Sequence, residues 1–472
     1  MSKNWRLAKL TTACFLVLAA ALPAPVLANA PIDLVLERYI DAGLAANREL
    51  QSQQFDLDAA LAKLDEARAS RWPSLALNAR YTRSQGGRVT DLPLGQLVNP
   101  AYDALNRLLT AQGQPAGFAR VEDQQIQFLR PREQDTRLSF SAPLYAPQIP
   151  AAIRAQESNL SASRFARTAL ARRLVRDITV AYLGWLKAGK AVAIVAASEA
   201  LLSENLRVNR ALLDAGKATR DRPLRAEAEL LAVQQLGREA KNQRDQARNY
   251  FNFLLSRALD EPIDAADFEQ AQLPAPGANG QRAELDQVQS QVSALDALLD
   301  VRAADFGPTV ALAVDSGIHG ERYAFGPGNN FTQVSVVFQI QLFDGGARAA
   351  RLRQAQAERA AAAARLDQLK AQIELEQAAA RDDLEAALDA LDTAAARERA
   401  AALVFEIARR KRDAGSLPQI EFIDARAAFT QAELNNNLTR FDALARAAQL
   451  DYATAAKPLP EQFAATLFGA PR

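Results

Sequence analysis

Residues 334–345, Val-Ser-Val-Val-Phe-Gln-Ile-Gln-Leu-Phe-Asp-Gly, decide the fold. Apolar and polar side chains alternate as far as residue 342, which predicts a β-strand with one apolar face and one polar face. The apolar face carries Val334, Val336, Phe338, Ile340 and Leu342, and the polar face carries Ser335, Gln339 and Gln341. Beyond the strand, residues 345–415 contain no proline and are rich in Ala, Leu, Arg and Glu. This composition predicts a very long helix directly after the strand.

Three further segments, residues 75–82, 137–144 and 310–314, alternate in the same way. Strands of about ten residues have the length of a tilted membrane strand, with apolar residues outward and polar residues inward. Aromatic residues near the strand ends suit the belts at membrane interfaces; they are Trp72, Tyr145 and Phe343. The strands by themselves also fit a small soluble sandwich.

The chain repeats its layout. Residues 140–147 and 338–345 each lead into a long helical tract, and the tracts end at Asp214-Ala215-Gly216 and Asp413-Ala414-Gly415. This spacing predicts an internal duplication. The first repeat covers residues 29–256 and the second residues 281–456, with a linker at 257–280 and a C-terminal tail at 457–472.

The two tracts, Pro150 to Gly216 and Gly345 to Gly415, have an unusual length. At ~1.5 Å per residue each helix would be ~100 Å long. Apolar residues recur at three- and four-residue steps, which favours long helical hairpins over a globular core. The chain is expected to reverse near residues 216 and 415 into a second helix. Shorter helices at 32–70 and 281–305 would stack end to end with those to complete the return path.

The first residues predict export. Lys3, Arg6 and Lys9 precede an apolar core at residues 10–22, and small residues allow cleavage after residue 28. Cleavage would remove Cys14, the one cysteine of the chain, and would change the formal net charge from +1 to about −2, with 53 basic against 55 acidic residues. No later run is apolar enough to predict a membrane-spanning helix.

The composition excludes several classes of function. There is no basic excess that would indicate a nucleic-acid partner. A single histidine, His319, and no mature cysteine predict neither a metal site nor a cofactor. No nucleotide-binding loop and no catalytic triad motif is found, so an enzyme is not expected.

Closure of the sheet predicts the assembly. A sheet in a membrane cannot leave an edge unpaired, and four strands are too few for a barrel. Three subunits would supply about twelve strands. Direction changes between strands and helices are expected at Pro73, Pro147, Pro308 and Gly345. The helical hairpins would then form a second, α-helical cylinder.

This order of elements resembles the TolC-type outer-membrane efflux proteins. The resemblance covers residues 32–455 and includes Gly415-Ser416 followed by Glu421, Ile423, Asp424 and Ala425. It implies a mainly α fold with a small β part, in which a homotrimer joins a twelve-stranded β-barrel in the outer membrane to a long periplasmic α-barrel. It also implies passive export to the outside, with a periplasmic adaptor and an inner-membrane transporter of the RND, ABC or a related class as partners in efflux or type I secretion.

The resemblance places a gate at the periplasmic ends of the hairpins. Glu421 and Asp424 are three residues apart and share one helix face, and three copies would surround the entrance with six carboxylates. A solvated helix face that merely carries two acids is the alternative. Arg222 and Arg225, with Arg412, are the candidate latch. The family has an acidic residue where Arg222 stands, so the bonds of this gate are expected to differ.

The resemblance also assigns roles to the turns and loops. The turns at Ala215, Gly216, Ala414 and Gly415 are candidate positions for adaptor docking. Residues 85–134 form a long connection, expected on the extracellular side with a short helix at 101–110. The equivalent connection, residues 316–330, is shorter, and His319 within it reads as an ordinary exposed residue.

Two other functions are alternatives to the channel. A periplasmic coiled-coil scaffold or adaptor would lack the barrel, and an exported hydrolase would need catalytic residues that the sequence does not show. The transported substrate is not determined by the sequence.

Overall fold

A computed structural model describes residues 31–266, 279–461 and 463. The predicted signal peptide and Cys14 lie outside these residues, as do parts of the predicted linker and tail. The fold is mainly helical with a small β part. Helices span Ile32–Ala46 (α1), Arg48–Ala69 (α2), Leu94–Ala111 (α3), Gln148–Asp214 (α4), Asp221–Leu254 (α5), Ala283–Ala304 (α6), Ala347–Asp413 (α7) and Gln419–Thr454 (α8). Strands span Ser74–Arg83 (β1), Val89–Leu92 (β2), Gln124–Gln127 (β3), Arg132–Tyr145 (β4), Thr309–Gly320 (β5) and Asn330–Gln339 (β6).

The long helices occur as the sequence predicts. α4 and α7 each contain 67 residues, and each is followed by a shorter helix of 34 or 36 residues. The predicted helix 32–70 is two helices, because Asn47 adopts an extended conformation between α1 and α2 and its side chain donates to the carbonyl of Leu254 at 3.1 Å.

One unit comprises residues 49–169 and 281–374 and contains both sheets. The main sheet is antiparallel with the order β1-β4-β5-β6, and β2 pairs with β3 in a separate two-stranded sheet. Among the helices of this unit, α2 packs against the start of α4. The contact consists of Leu57, Leu64, Ile153 and Leu160. α6 packs on the start of α7 through Val292, Ala362 and Leu366. The two predicted repeats therefore have similar contacts between a short helix and the start of a long one.

The other unit comprises residues 1–48, 170–280 and 375–472, of which the described part is helical. α8 packs on α7 through a cluster that contains Leu384 and Leu450. In the same unit, Tyr39 of α1 contacts Tyr182 of α4 and Phe251 of α5, with ring centroids 5.7 and 5.1 Å away. Tyr182 and Phe251 are completely buried.

α4 is long and apolar enough to cross a membrane by length and composition alone, although 44% of its most apolar 18-residue window is buried. The expectation that no such segment follows the signal is wrong for this helix by that criterion. A helix that is partly buried in a hairpin meets the same criterion, because its packed face is also apolar.

The strand boundaries differ from the prediction at several positions. β4 begins at Arg132 instead of residue 137, and β6 begins at Asn330 instead of Val334. β6 ends at Gln339 instead of Leu342, because its partner β5 begins at Thr309, directly opposite Gln339. β5 continues past Val314 to Gly320, because it stays paired with β4 as far as Gln134. Its Ser-Gly sequence at 316–317 interrupts the apolar alternation and concealed this extension.

The long connection between β1 and β4 contains more structure than the sequence predicts. α3 begins at Leu94 and includes Pro100, which precedes the predicted helix 101–110. Two asparagines of α3 connect the helix to the segment that follows it. Asn99 makes a pair of hydrogen bonds with the backbone of Val121, and Asn106 makes a pair with the backbone of Phe118. The short two-stranded sheet of β2 and β3 was not predicted.

Candidate functional site

The first candidate site is the polar face of the main sheet. β1 and β4 pair without a register shift from Ser74 opposite Ser141 to Arg83 opposite Arg132. Because side chains alternate between faces, polar residues of neighbouring strands stand beside one another. This face carries Asn78, Arg80, Glu133, Asp135, Arg137, Ser139, Asp315 and His319.

Hydrogen bonds cross this polar face from strand to strand. Asn78 Nδ2 donates to Ser139 Oγ at 3.0 Å, and the Ser139 hydroxyl donates to Asp315 Oδ1 at 2.5 Å. Asp135 Oδ2 lies 3.8 Å from the guanidinium groups of both Arg80 and Arg137. The face thus combines fixed charges of both signs in an ordered row, as suits the wall of an aqueous passage.

His319 belongs to this row. Its Nε2 lies 2.6 Å from Oε1 of Glu133, and the His319 side chain is 45% exposed. The sequence-based placement in a loop is wrong, because β5 continues to Gly320 and carries His319 on the polar face opposite Asp135.

The opposite face of the sheet is apolar, and it is exposed on the two edge strands. The large apolar side chains of β1 and β6 on this face are 62% to 70% exposed, namely Leu75, Leu77, Tyr81, Val334, Val336 and Phe338. On the central strands the same face is less exposed, with Leu138 at 44% and Ile318 buried. An exposed apolar surface of this kind needs a lipid or protein partner. Among the described residues, the two edge strands β1 and β6 each have one hydrogen-bonded neighbour strand.

The second candidate site is the pair of hairpin turns in the helical unit. Gly216 and Gly415 adopt φ values of +67° and +71°, the left-handed conformation that favours glycine. The residue after each glycine donates its N–H to a carbonyl five positions earlier, Lys217 to Leu212 at 2.8 Å and Ser416 to Lys411 at 3.0 Å. Ala215 and Ala414 are exposed beside these glycines. The two repeats therefore end their long helices in the same way.

The turns of the two hairpins lie side by side. Gln419 Nε2, at the start of α8, donates to the carbonyl of Arg222, near the start of α5, at 3.1 Å. Glu421 and Asp424 are both exposed, whereas Phe422 and Ile423 between them are buried. Packing of the two apolar residues fixes the direction of the two carboxylates.

The residues of the predicted latch have local partners. Arg225 Nε lies 3.8 Å from Asp221 of its own helix. Arg412 lies 4.0 Å above the ring of Phe422 and pairs with Asp413 at 3.2 Å. Among the described residues of this single chain, no ion pair joins Arg222 or Arg225 to Glu421 or Asp424.

Sequence reasoning missed a buried polar cluster behind the turn. Arg426 is 6% exposed, its Nε donates to Ser198 Oγ at 3.4 Å, and its Nη2 lies 4.0 Å from Glu433. Its guanidinium also lies 5.2 Å from the Phe405 ring centroid. Burial lowers the pKa of Arg426 and raises the pKa of Glu433. The available signal was an arginine at the i+4 position of an apolar stripe, between Phe422 and Phe429.

The predicted junction residues lie between strands and helices. Pro73 precedes β1, Pro308 precedes β5, and Pro147 separates β4 from α4. Gly345 has φ +65°. Next to it, Asp344 accepts hydrogen bonds from the N–H groups of Gly346 and Arg348 at 3.1 and 2.9 Å and so caps α7.

No group of three or more His, Cys, Asp or Glu side chains that could hold a metal ion occurs in the part of the chain that the structure describes.

Comparisons with known proteins agree with this geometry. The family model described as "Outer membrane efflux protein" matches residues 39–256 and 277–456. No curated protein is significantly similar to the chain. Among solved structures, the Campylobacter jejuni CmeC outer membrane channel is 16% identical with a TM-score of 0.74, covering 89% of this chain and 85% of that one. VceC of Vibrio cholerae is 18% identical with a TM-score of 0.71, covering 89% and 96%. The Neisseria gonorrhoeae MtrE outer membrane channel, in its open state, is 18% identical with a TM-score of 0.71, covering 89% and 89%.

Proposed function

Because the chain belongs to the outer membrane efflux protein family, we propose that three copies of it form the outer-membrane exit channel of a tripartite efflux or type I secretion system. In this system a periplasmic adaptor and an inner-membrane transporter deliver the substrate. The chain itself is a passive conduit, and its partners supply the energy.

The single observation that carries the proposal is the two-faced sheet with two open edges. One face is apolar and exposed on its edge strands, and the other carries an ordered row of polar side chains. Within the described part of the chain, β1 and β6 each lack a second neighbour. In a lipid bilayer every strand edge must be paired, so the sheet has to close with sheets of other copies. Three copies give twelve strands, with the apolar face toward lipid and the polar face toward the passage.

The periplasmic entrance is the proposed site of selectivity. Glu421 and Asp424 are exposed on one side of α8, and the buried Phe422 and Ile423 hold that side in place. Six carboxylates in the trimer would raise the local cation concentration and oppose anions.

The adjacency of the two turns supports a latch at the same entrance. Gln419 already connects the segments that carry Arg222 and Glu421. Arg222 and Arg225 would pair with Glu421 and Asp424 of a neighbouring hairpin in the closed state, with Arg412 holding Phe422 in place. The exposed turns at Ala215, Gly216, Ala414 and Gly415 are the proposed adaptor contacts.

Conductance of the purified trimer in a planar bilayer tests the entrance. The double variant Glu421→Ala/Asp424→Ala should lose cation selectivity. The matched control is Asp382→Ala/Glu385→Ala, which removes two exposed carboxylates with the same spacing from α7, and it should change selectivity less. Unchanged selectivity in the first variant contradicts the acidic ring, and unchanged closed-state conductance in Arg222→Ala/Arg225→Ala contradicts the latch.

Cell fractionation separates the channel from the scaffold alternative. A channel sediments with outer membranes and needs detergent for extraction, whereas a coiled-coil scaffold without a barrel is released with the soluble periplasmic proteins. Recovery in the soluble fraction would contradict the proposed function.

A further inference from the structure

Four arginines lie near the end of β1 and the start of β4, at the ends of these strands that are farthest along the chain from the long helices. The proposed function assigns no role to them. Arg83 ends β1, Arg132 begins β4, and Arg88 and Arg130 lie in the adjoining connection. All four are exposed. Among the described residues, none of the four has an ion pair or a side-chain hydrogen bond, and the exposed carboxylates Asp91, Glu122 and Glu321 do not reach them.

The register forces two of these arginines together. Arg83 and Arg132 stand directly opposite each other in the β1–β4 pairing. Like charges directly opposite on one face of an antiparallel pair destabilise the pair. The arrangement is therefore unfavourable unless an anion lies between the two guanidinium groups.

Two other arginines of the sheet, unlike Arg83 and Arg132, lie beside a carboxylate. Arg80 and Arg137 on the polar face share the carboxylate of Asp135, at 3.8 Å from each. Arg83 and Arg132 have the parity of Tyr81 and Leu138, so they belong to the apolar face. Arg80 and Arg137 on the polar face thus have an internal counter-ion, whereas Arg83 and Arg132 have none among the residues that the structure describes.

The position of this pair indicates the kind of anion. Immediately below Arg83 on the same face come Tyr81, which is 66% exposed, and then the apolar band that includes Leu77. An aromatic girdle marks the boundary between hydrocarbon and headgroups. A basic pair just beyond that boundary lies at the level of lipid headgroups, and the guanidinium fork matches phosphate in shape and charge.

We propose that Arg83 and Arg132, flanked by Arg88 and Arg130, form a binding site for the phosphate groups of a glycolipid in the outer leaflet of the outer membrane. This inference rests on the proposed function, because it needs the apolar face to contact the membrane. The lipid phosphate neutralises the opposed guanidinium groups and holds the outer rim of the sheet against the bilayer.

Native mass spectrometry of the detergent-solubilised trimer with added lipid A tests the site. We expect the wild type to bind diphosphorylated lipid A, and Arg83→Ala/Arg132→Ala to bind it about tenfold or more weakly, since each lost guanidinium removes charge-assisted hydrogen bonds. Arg120→Ala is the matched control. Arg120 is an exposed arginine of the same connection, but it already pairs with Asp103 at 3.0 Å, so its loss should leave lipid binding unchanged.

Other arms of the experiment overturn the proposal. Equal binding of lipid A from which both phosphates have been removed would show that acyl chains alone are recognised. Displacement of lipid A by an equal concentration of inorganic phosphate would show a site for free anions. Equal binding by wild type and the double variant would show that neither arginine takes part.

Folding and conduction are checked separately. Removal of two opposed like charges should leave the trimer intact, as judged by its mobility on a semi-native gel. If the alanine variant does not assemble, Arg83→Lys/Arg132→Lys keeps the charges, loses the forks and should bind intermediately; wild-type binding by the lysine variant then contradicts the proposal. Trimers of either variant should have the same conductance as the wild type. Loss of lipid binding with normal conductance therefore concerns the lipid site, whereas absence of conductance in the wild type would contradict the proposed channel function.

Discussion

Phe422→Ala tests whether one aromatic side chain holds the hairpin turn that carries Glu421. The Phe422 side chain is completely buried. Its ring lies 5.7 Å from that of Phe405 and has Arg412 stacked on it at 4.0 Å. The equivalent position in the first repeat is Pro223, so the first hairpin has no aromatic side chain at this place.

The expected cost follows from burial. Truncation of a buried Phe to Ala costs ~3–5 kcal/mol, and the lower end applies where the site can collapse, as at a turn close to solvent. We therefore expect a local loss of about 3 kcal/mol, which corresponds to about a 100-fold change in the local opening equilibrium.

Hydrogen exchange followed by mass spectrometry measures this opening directly. Amides of residues 411–425 should exchange about 100-fold faster in the variant, whereas amides in the sheet should be unaffected. Phe253→Ala is the control, since Phe253 is also helical but 65% exposed. An acceleration below about threefold in Phe422→Ala, or the same acceleration in Phe253→Ala, would refute the reasoning.

Three other predictions concern the sheet, the buried cluster and the junction. Gly317→Ala should abolish the membrane-inserted trimer, because its Cβ would lie 2.2 Å from the backbone oxygen of Thr136; the amount of trimer in outer membranes measures this. Burial is the main cause of the raised pKa of Glu433, so ionisation of Glu433 destabilises the fold as pH rises. Glu433→Gln should therefore raise the melting temperature at pH 7, but not below pH 4.5, the ordinary pKa of a glutamate. Burial opposes ionisation of Asp344, but hydrogen bonds from Arg348 outweigh this effect and lower the pKa of Asp344 below its ordinary value of 3.8. The ionised Asp344 should therefore stabilise the start of α7 fully above pH 3.8, and this stabilisation should be lost as the pH falls below that value. Hydrogen exchange of the amides at the start of α7 measures the loss.

Each of these predictions has an internal control. Gly184→Ala introduces the same methyl group in α4, where no atom lies within 4 Å, and should stabilise that helix by ~1 kcal/mol. Glu385→Gln removes an exposed carboxylate from α7 and should shift no melting temperature. Asp344→Asn removes the charge and should remove the acid dependence of exchange at the start of α7. A trimer of normal yield in Gly317→Ala, or equal melting shifts in the two glutamine variants, would contradict the corresponding prediction.

The sequence predicts those parts of the fold whose pattern is long or repeated. The absence of proline from 345–415 and the two Asp-Ala-Gly turns are enough for the long helices and their ends. The four main strands follow from a period of two, and their small number, with the need for closed edges, predicts the shared barrel.

Features that depend on a partner element could not be predicted. Residues 340–342 continue the alternation of β6, but they have no strand to pair with, and pattern alone does not reveal where a partner ends. His319 was misplaced for the same reason. Ser316 breaks the apolar alternation of β5, and Gly317 beside it is required because the backbone of β4 passes too close for a side chain.

Only part of the candidate site could be predicted from the sequence. The positions of Glu421 and Asp424 are evident from the sequence, but their direction depends on the burial of Phe422. The buried Arg426 was missed, since a charge on an apolar stripe has meaning only when its surroundings are known.

The equal size of α4 and α7, 67 residues each, restricts how this protein can change during evolution. One inserted residue would turn everything beyond it by about 100° and move it by ~1.5 Å. The apolar seam beyond the insertion would then leave its partner helix. Insertions that survive should therefore add about seven residues, close to two full turns, and should occur in both sides of a hairpin and in both repeats together. Natural relatives of different length are expected to differ in such steps, and a single-residue deletion is expected to be more harmful here than most substitutions.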